Sequence, residues 1–442
     1  MTDNNYTETR HALSLQNKKY ESYKPSGVEW LGEIPSSWDL TRLGTRFEER
    51  KTKVSDKDFP PLSVTKNGTI PQLDSAAKSN DGDNRKLVKT GDFVINSRSD
   101  RKGSSGIAYQ DGSVSLIYIV IEPKDIHPIY CNYLLKSYNF IEEFYRMGHG
   151  IVADLWTTRY DEMKTILVGI PSYEEQTAIA SFLDRKTALI GQAIDIKQKQ
   201  IELLKERRQI LIHKAVTRGL NPNVKLKHSG VEWIGEIPED WEVKRIKNLG
   251  KIINGFAFNS NEFKDEGVRV MKIANIQTMR IDWSDESFVD EKYFRLYPQF
   301  QITRNDLVFA LTRPIISTGI KATIVECDEK ILLNQRNTVL KPSKDLSKKW
   351  IYFIILNTQF VQAFDNQIDK TGQQPNISTY NIGNLEIPFP EIAEQKLISE
   401  YLETATTKIA TAISLKEQEI EKLKEYKATL INSAVTGKIK NG

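Results

Sequence analysis

Only two cysteines occur in 442 residues, Cys131 and Cys327, and both sit in apolar surroundings. That scarcity excludes a disulfide framework and a thiolate zinc site, and two buried free thiols are expected. Long hydrophobic runs are also lacking. The longest, Trp350 to Leu356, falls far short of the roughly 18 residues of a transmembrane helix. The sequence opens on Thr2, Asp3, Asn4 and Asn5 without a signal-peptide core, so a cytoplasmic location is expected. Neither sign of charge dominates, with 62 Lys and Arg against 58 Asp and Glu. The net charge of +4 permits nucleic-acid binding without arguing for it, and a disordered or strongly cationic class does not fit.

Enzyme signatures are missing as well. No phosphate loop, no dinucleotide fingerprint after a strand and no Gly-x-Ser-x-Gly elbow occurs. The five histidines (His11, His127, His149, His213 and His228) have neither metal spacing nor a nucleophile partner. Asn221-Pro222-Asn223 reads as an interdomain turn. No catalytic, cofactor or metal site is expected in this chain.

What is present is said twice. Residues 24–43 match 227–246 at 12 of 20 positions, including Gly27-Val28-Glu29-Trp30 and Gly230-Val231-Glu232-Trp233. Residues 201–217 match 420–436 at 10 of 17. A period of about 200 residues is too long for a solenoid and marks a duplicated domain pair. The Trp pairs in the first block read as packing anchors rather than ligand contacts.

The second block lies in two long helical stretches. Ser172 and Glu175 suggest a capping box after Pro171. Apolar residues then step by four and three: Ile190, Ile194, Ile201, Leu204 and Leu211, repeated as Ile409, Ile413, Ile420, Leu423 and Leu430. This heptad seam is interrupted by cations at matching places, Lys197 and Arg208 in one copy, Lys416 and Lys427 in the other. Glu202 with Lys205, and Glu421 with Lys424, can pair one turn apart. Each helix is about 60 Å long if 40 residues form it, and its stripe needs a partner. The short linker Arg218–Lys227 favours an antiparallel pair.

Residues 44–170 and 247–389 differ in sequence but share a skeleton. The strand at 91–95 resembles that at 305–309, and each leads into a polar loop. Strands are expected near 114–121 and 331–340, and helices near 128–147 and 347–366. The expected fold is α+β: two mixed, mostly β domains separated by two long helices packed as an antiparallel coiled coil, with internal pseudo-two-fold symmetry. The boundaries are a polar segment 1–23, a first variable domain 24–170, a helix 171–217, a second variable domain 218–389, and a helix with tail 390–442.

With these pieces in place, the chain resembles the DNA specificity subunits of type I restriction–modification systems. The motifs carrying the likeness are Gly-Val-Glu-Trp-(Leu/Ile)-Gly-Glu-Ile-Pro-x-x-Trp at 27–38 and 230–241, Pro-x-x-x-Glu-Gln at 171–176 and 390–395, and Thr-Gly-Gln-Gln-Pro-Asn-Ile at 371–377. Their duplicated order covers residues 20–440. The first half departs at the third motif, with Gly148-His149-Gly150-Ile151-Val152. The resemblance implies two target-recognition domains, each reading one half of a bipartite, asymmetric site in double-stranded DNA. It implies docking of two modification methyltransferase subunits and of motor-nuclease restriction subunits. S-adenosylmethionine, ATP and magnesium would belong to those partners, and this chain would catalyse nothing.

Candidate base readers in the first domain are Ser97, Arg98, Arg101, Lys102 and Ser104, a loop with forked donors and close backbone approach at Gly103. The competing reading is a solvated surface loop. His149 and Arg159 follow a glycine-flanked turn, and the neighbouring Trp156 is expected in the core. In the second domain the candidates are Asn275, Gln277, Thr312, Arg313, Thr318, Gln335, Arg336, Asn337, Gln373, Gln374 and Asn376. Amides suit adenine edges, where one group donates and accepts together; the competing reading is turn-capping amides. Both variable domains are barely basic, with 17 Lys and Arg against 15 Asp and Glu over 44–160, and 18 against 15 over 247–385. Phosphate neutralisation usually dominates affinity, so partner subunits are expected to contribute to it. A duplicated protein-binding scaffold without DNA readout is the alternative, and it would not need Arg-, Gln- and Asn-rich loops at equivalent places.

Overall fold

The computed structural model describes residues 19–73, 82–150 and 156–440. Most of the polar segment 1–23, and Ile151-Val152 of the glycine-flanked loop, lie outside the described residues. The chain forms two compact units, Met1–Lys197 with Glu417–Gly442, and Gln198–Lys416. Each long helix is thus divided between the units.

The first unit is built on an antiparallel sheet in the order Ser105–Ile107, Phe93–Asn96, Tyr118–Pro123, Phe47–Glu49. Phe93, Val94 and Ile95 are all fully buried because both faces of this strand are covered. One face joins a core with Trp38, Tyr130, Phe140 and Phe144. The other, with Val94 and Val120, packs on Leu62, Val88 and Val114. The second unit repeats the sheet in the same order with Ala322–Ile324, Leu307–Ala310, Asn337–Pro342 and Gly250–Asn254. It adds a five-stranded sheet in which Val268–Met271 runs parallel to Ile331–Leu333.

Four expected elements are broken. The strand near 114–121 is two strands, Gly112–Val114 and Tyr118–Pro123, and that near 331–340 is Ile331–Leu333 and Asn337–Pro342. A tight turn separates each pair. The helices near 128–147 and 347–366 each divide in two, at Ser137 and at Asn357. Asn357 turns the chain because its carboxamide accepts the N–H groups of Gln359 and Phe360, which restarts the helix.

The long helices run Tyr173–Arg218 and Ile392–Val435. In the first unit, Ile179, Leu183 and Ile190 share a core with Leu430, Ala434 and Val435, while Lys197 pairs with Glu419. In the second unit, Ile212, Ala215 and Val216 share one with Ile398 and Leu402. The early part of one helix thus meets the late part of the other in each unit, which makes the pairing antiparallel. Within the seam, Ile201 and Ile420 are buried, and Ile194, Leu204, Ile413 and Leu423 are half-buried. Leu211 is only half-buried, and Ile212 takes the core position instead. Glu202 pairs with Lys205 and Glu421 with Lys424, as the spacing requires.

The repeated motifs have a structural job. Trp38 and Trp241 are buried, and their indole N–H groups donate to Glu175 (3.2 Å) and Glu394 (2.9 Å). Glu175 is therefore not free to complete the expected capping box: Ser172 accepts the Glu175 N–H, but the Glu175 carboxylate turns to Trp38 and the Tyr20 hydroxyl. The adjacent Gln176 and Gln395 are fully buried clamps. Their carbonyls accept the N–H of His127 and of Ser347, and their amides donate to Pro171 and Pro390. At the far end of the second helix, Gly437 adopts φ of +74°, and a Cβ there would sit 2.3 Å from Pro35. Lys438 reaches the carbonyls of Leu31 and Glu33.

Candidate nucleic-acid interface

The polar loop after the central strand is a fixed arm in both units. In the first unit Ser97 accepts from the Thr158 N–H at 3.0 Å, and the Ser99 N–H donates to Trp156 at 3.0 Å. Arg98 thus lies opposite Thr157, and Thr157 in turn exchanges two bonds with His149. In the second unit Leu311 accepts from Ile377 at 2.8 Å, the Arg313 N–H donates to Pro375 at 2.8 Å, and Asn376 exchanges two bonds with Asp369. The bonds correspond one for one. Residues 97–99, 156–158 and 149 of one unit occupy the places of 311–313, 375–377 and 369 of the other.

Local forces hold these arms. In the first unit, Tyr145 donates to the Asn96 carbonyl at 2.7 Å, and burial pushes its phenol well above the usual value. Ser99–Arg101 form a single tight turn that returns the chain through Gly103 to Ser104. Lys102 is tied to Glu142 at 2.6 Å, and Arg101 lies beside Asp100. Arg98 and Arg159 are exposed, with guanidinium groups open to an anion or a base edge. A cleft of about 840 Å³ beside the arm is lined by Ser99, Lys102 and Trp156 and also by Glu142 and Glu143. Glu142 and Glu143 neutralise the cleft's cations, Lys102 and Arg146, so the arm's outer surface, where Arg98 is exposed, suits a polyanion better than the cleft does.

Several candidate residues are brought together and others are not. Arg98, Ser97 and His149 share one three-part cluster; Thr312, Arg313, Gln374 and Asn376 share its counterpart. Arg313 adopts φ of +46°, a strained conformation, and is exposed on the arm. Gln373 is exposed, and Asn376 donates to the Gln374 carbonyl. Gln335 and Arg336 are exposed on a turn joined to the same arm, because the Leu311 N–H donates to Arg336. Thr318 meets Thr278 at 2.9 Å, one residue from Gln277, whose amide is spent on Ala274.

Ser97 and Thr312 are buried, at 5% and 8% exposure, and serve the arms through their backbones; two further candidates must be withdrawn. Asn275 is 0% exposed, and its side chain bonds Lys272, Asp282 and Asp285 to hold a turn. Asn337 is also 0% exposed and donates to Met271. Both amides face the interior, where no base can reach them. The expectation for Trp156 is reversed: it is 37% exposed on the arm rather than in the core. Thr157 and Asp369 were missed. Aligning Trp156-Thr157-Thr158 with Pro375-Asn376-Ile377 would pair Thr157 with Asn376, and aligning His149 with Asp369 would add the other, but the sequences share too little for either alignment without the bonds.

The family model for the type I restriction modification DNA specificity domain matches residues 238–425. The MjaVIII specificity subunit of Methanocaldococcus jannaschii, a type I restriction enzyme component, is 30% identical over 443 residues, covering 97% of this chain and 98% of its own length. The EcoKI specificity subunit of Escherichia coli K12 is 24% identical over 217 residues, 46% of this chain and 44% of its own. Among solved structures, a chain from work on assembly and conformational transition of the type I R-M system superposes with a TM-score of 0.68 at 15% identity, covering 91% of this chain and 98% of that one. The HsdS subunit from Thermoanaerobacter tengcongensis gives 0.56 at 16% identity, over 92% and 98%.

Proposed function

We propose, for a chain that belongs to the type I restriction enzyme specificity subunits, that its two arms read the two halves of one asymmetric DNA site. The observation carrying this is the repeated arm with unlike side chains. Arg98, Ser99, Trp156 and His149 in one unit stand where Thr312, Arg313, Pro375 and Asp369 stand in the other. An identical scaffold bearing different donors and acceptors is what two different half-sites require, since base edges are distinguished by donor and acceptor pattern. Arg98 and Arg313 suit guanine edges or phosphates, and Gln335, Gln373 and Asn376 suit adenine.

The chain acts in the cytoplasm as a non-catalytic subunit in this reading. The long helices and the adjoining repeats dock two modification subunits, which bring S-adenosylmethionine, and motor-nuclease subunits join them with ATP and magnesium. Expression with its modification subunits in a strain lacking such systems, followed by sequencing of adenine methylation, tests it. A two-part, non-palindromic methylated site that vanishes without this chain is expected. Methyl transfer by the purified chain alone would overturn it.

The unread gap between half-sites follows from helix length. Seven residues inserted at matching points in both long helices add about 10 Å, and at 3.4 Å per base pair the methylated site should gain roughly three unread pairs. A gap of unchanged length would show that something else sets it.

A further inference from the structure

One turn differs in chemistry between the units while keeping its geometry. The Tyr118 N–H donates to Ser115 at 3.1 Å, and the Asn337 N–H donates to Asn334 at 3.1 Å. Each turn leads into the strand that pairs with the central one, at Tyr118 opposite Asn96 and Asn337 opposite Ala310. Each is also tied to the arm, by the Ser97 N–H donating to Ile117 and the Leu311 N–H donating to Arg336. The central residues of the second turn are Gln335 and Arg336. Those of the first are Leu116 and Ile117, 41% and 39% exposed.

Scattered exposed aliphatic residues are ordinary, so exposure alone says little here. Position says more. The centre of a tight turn favours Asn, Asp, Gly, Ser or Pro, which supply local hydrogen bonds or the required dihedrals. Leu and a β-branched Ile supply neither. The nearby apolar core of Val94, Val114 and Val120 is complete without them. What the pair does contribute is an apolar tip next to Arg98, at the place where the other unit presents an amide and a guanidinium.

We propose that Leu116 and Ile117 read thymine by packing on its 5-methyl group in the major groove, in the place where Gln335 and Arg336 read purine edges. Aliphatic contact is the pairing that this methyl offers, and it is the only apolar mark on a major-groove edge. The proposal rests on the DNA-reading assignment above and adds the base class.

The test uses the full chain assembled with its modification subunits and the DNA site found by methylation sequencing. Each thymine of the first half-site is replaced in turn by deoxyuridine, which removes only the methyl group, and affinity is measured by titration. At one or two positions binding should weaken about 4-fold, the equivalent of roughly 0.8 kcal/mol for one buried methylene. The L116S/I117S variant should bind thymine and deoxyuridine sites equally. Tight, specific binding that ignores every deoxyuridine in the wild-type complex overturns the proposal and leaves the DNA reading intact. Unchanged deoxyuridine sensitivity in the variant also overturns it, by assigning the methyl contact to other residues. Loss of sequence preference by the wild-type complex would instead refute the DNA reading itself. If that variant fails to fold, the milder L116N variant, at a position where the turn already favours a polar residue, takes its place and should lower the deoxyuridine effect.

Discussion

Replacing residues 44–160 with the corresponding stretch of a relative should change one half of the methylated DNA site and leave the other half as it was. The exchanged segment carries the whole first arm, including Arg98, His149 and Thr157, together with the apolar turn at Leu116. It carries none of the second arm. Its boundaries fall at buried anchors that stay behind: Leu43 before it and Ile166, Val168 and Ile170 after it. The strand Leu167–Ile170 pairs with Asp39–Arg42, so the base on which the arm stands is retained. Each wrong base pair costs about 1–3 kcal/mol. Two or more altered pairs should therefore cut methylation of the old site by on the order of 100-fold. Methylation sequencing of a strain carrying the exchange provides the measurement. A change in both halves would mean that the units do not read independently.

Trp241→Ala should destabilise the second unit by about 3–5 kcal/mol, the usual range for deleting a buried aromatic. Trp241 is 1% exposed, packs edge-on against Trp350 at 5.7 Å, and donates to Glu394. Removing it leaves a cavity beside Trp350 and takes from Glu394 the indole that favours its charged form, against a burial that pushes this carboxyl up. At about 2–4 °C per kcal/mol for a unit of this size, melting should fall by roughly 10 °C. Trp241→Phe keeps most of the ring and should lose far less. If Trp241→Ala melts like the wild type yet loses DNA binding, the indole is a ligand contact and not an anchor.

The parts of this molecule that were legible in sequence are those where one local rule decides the outcome. The duplicated blocks announced two related units. The heptad steps gave both long helices, because a period of seven has no other common reading. Misreadings arose where an apolar pattern ran through a turn. Val114 to Ile121 looks like one strand, and only the Tyr118-to-Ser115 bond shows that Leu116 and Ile117 sit on a bend. Lys348 to Asp365 looks like one helix, yet Asn357 supplies a cap in mid-run. The candidate amides show the same limit. Asn275 and Asn376 are alike in composition and setting, but one is locked inside a turn by three partners and the other stands on the exposed arm. The partners lie within ten residues, at Lys272, Asp282 and Asp285, but no spacing rule encodes the turn that aims the Asn275 amide at them.

Lys438 and Gly437 close the first unit from a position more than 390 residues away from the Trp38 they cover. A nonsense or frameshift lesion that deletes them would uncover the floor beneath one reader and spare its twin. Such a shortened product should therefore lose fidelity on one side of its target first, a lopsided failure in which partial sites are honoured before recognition disappears.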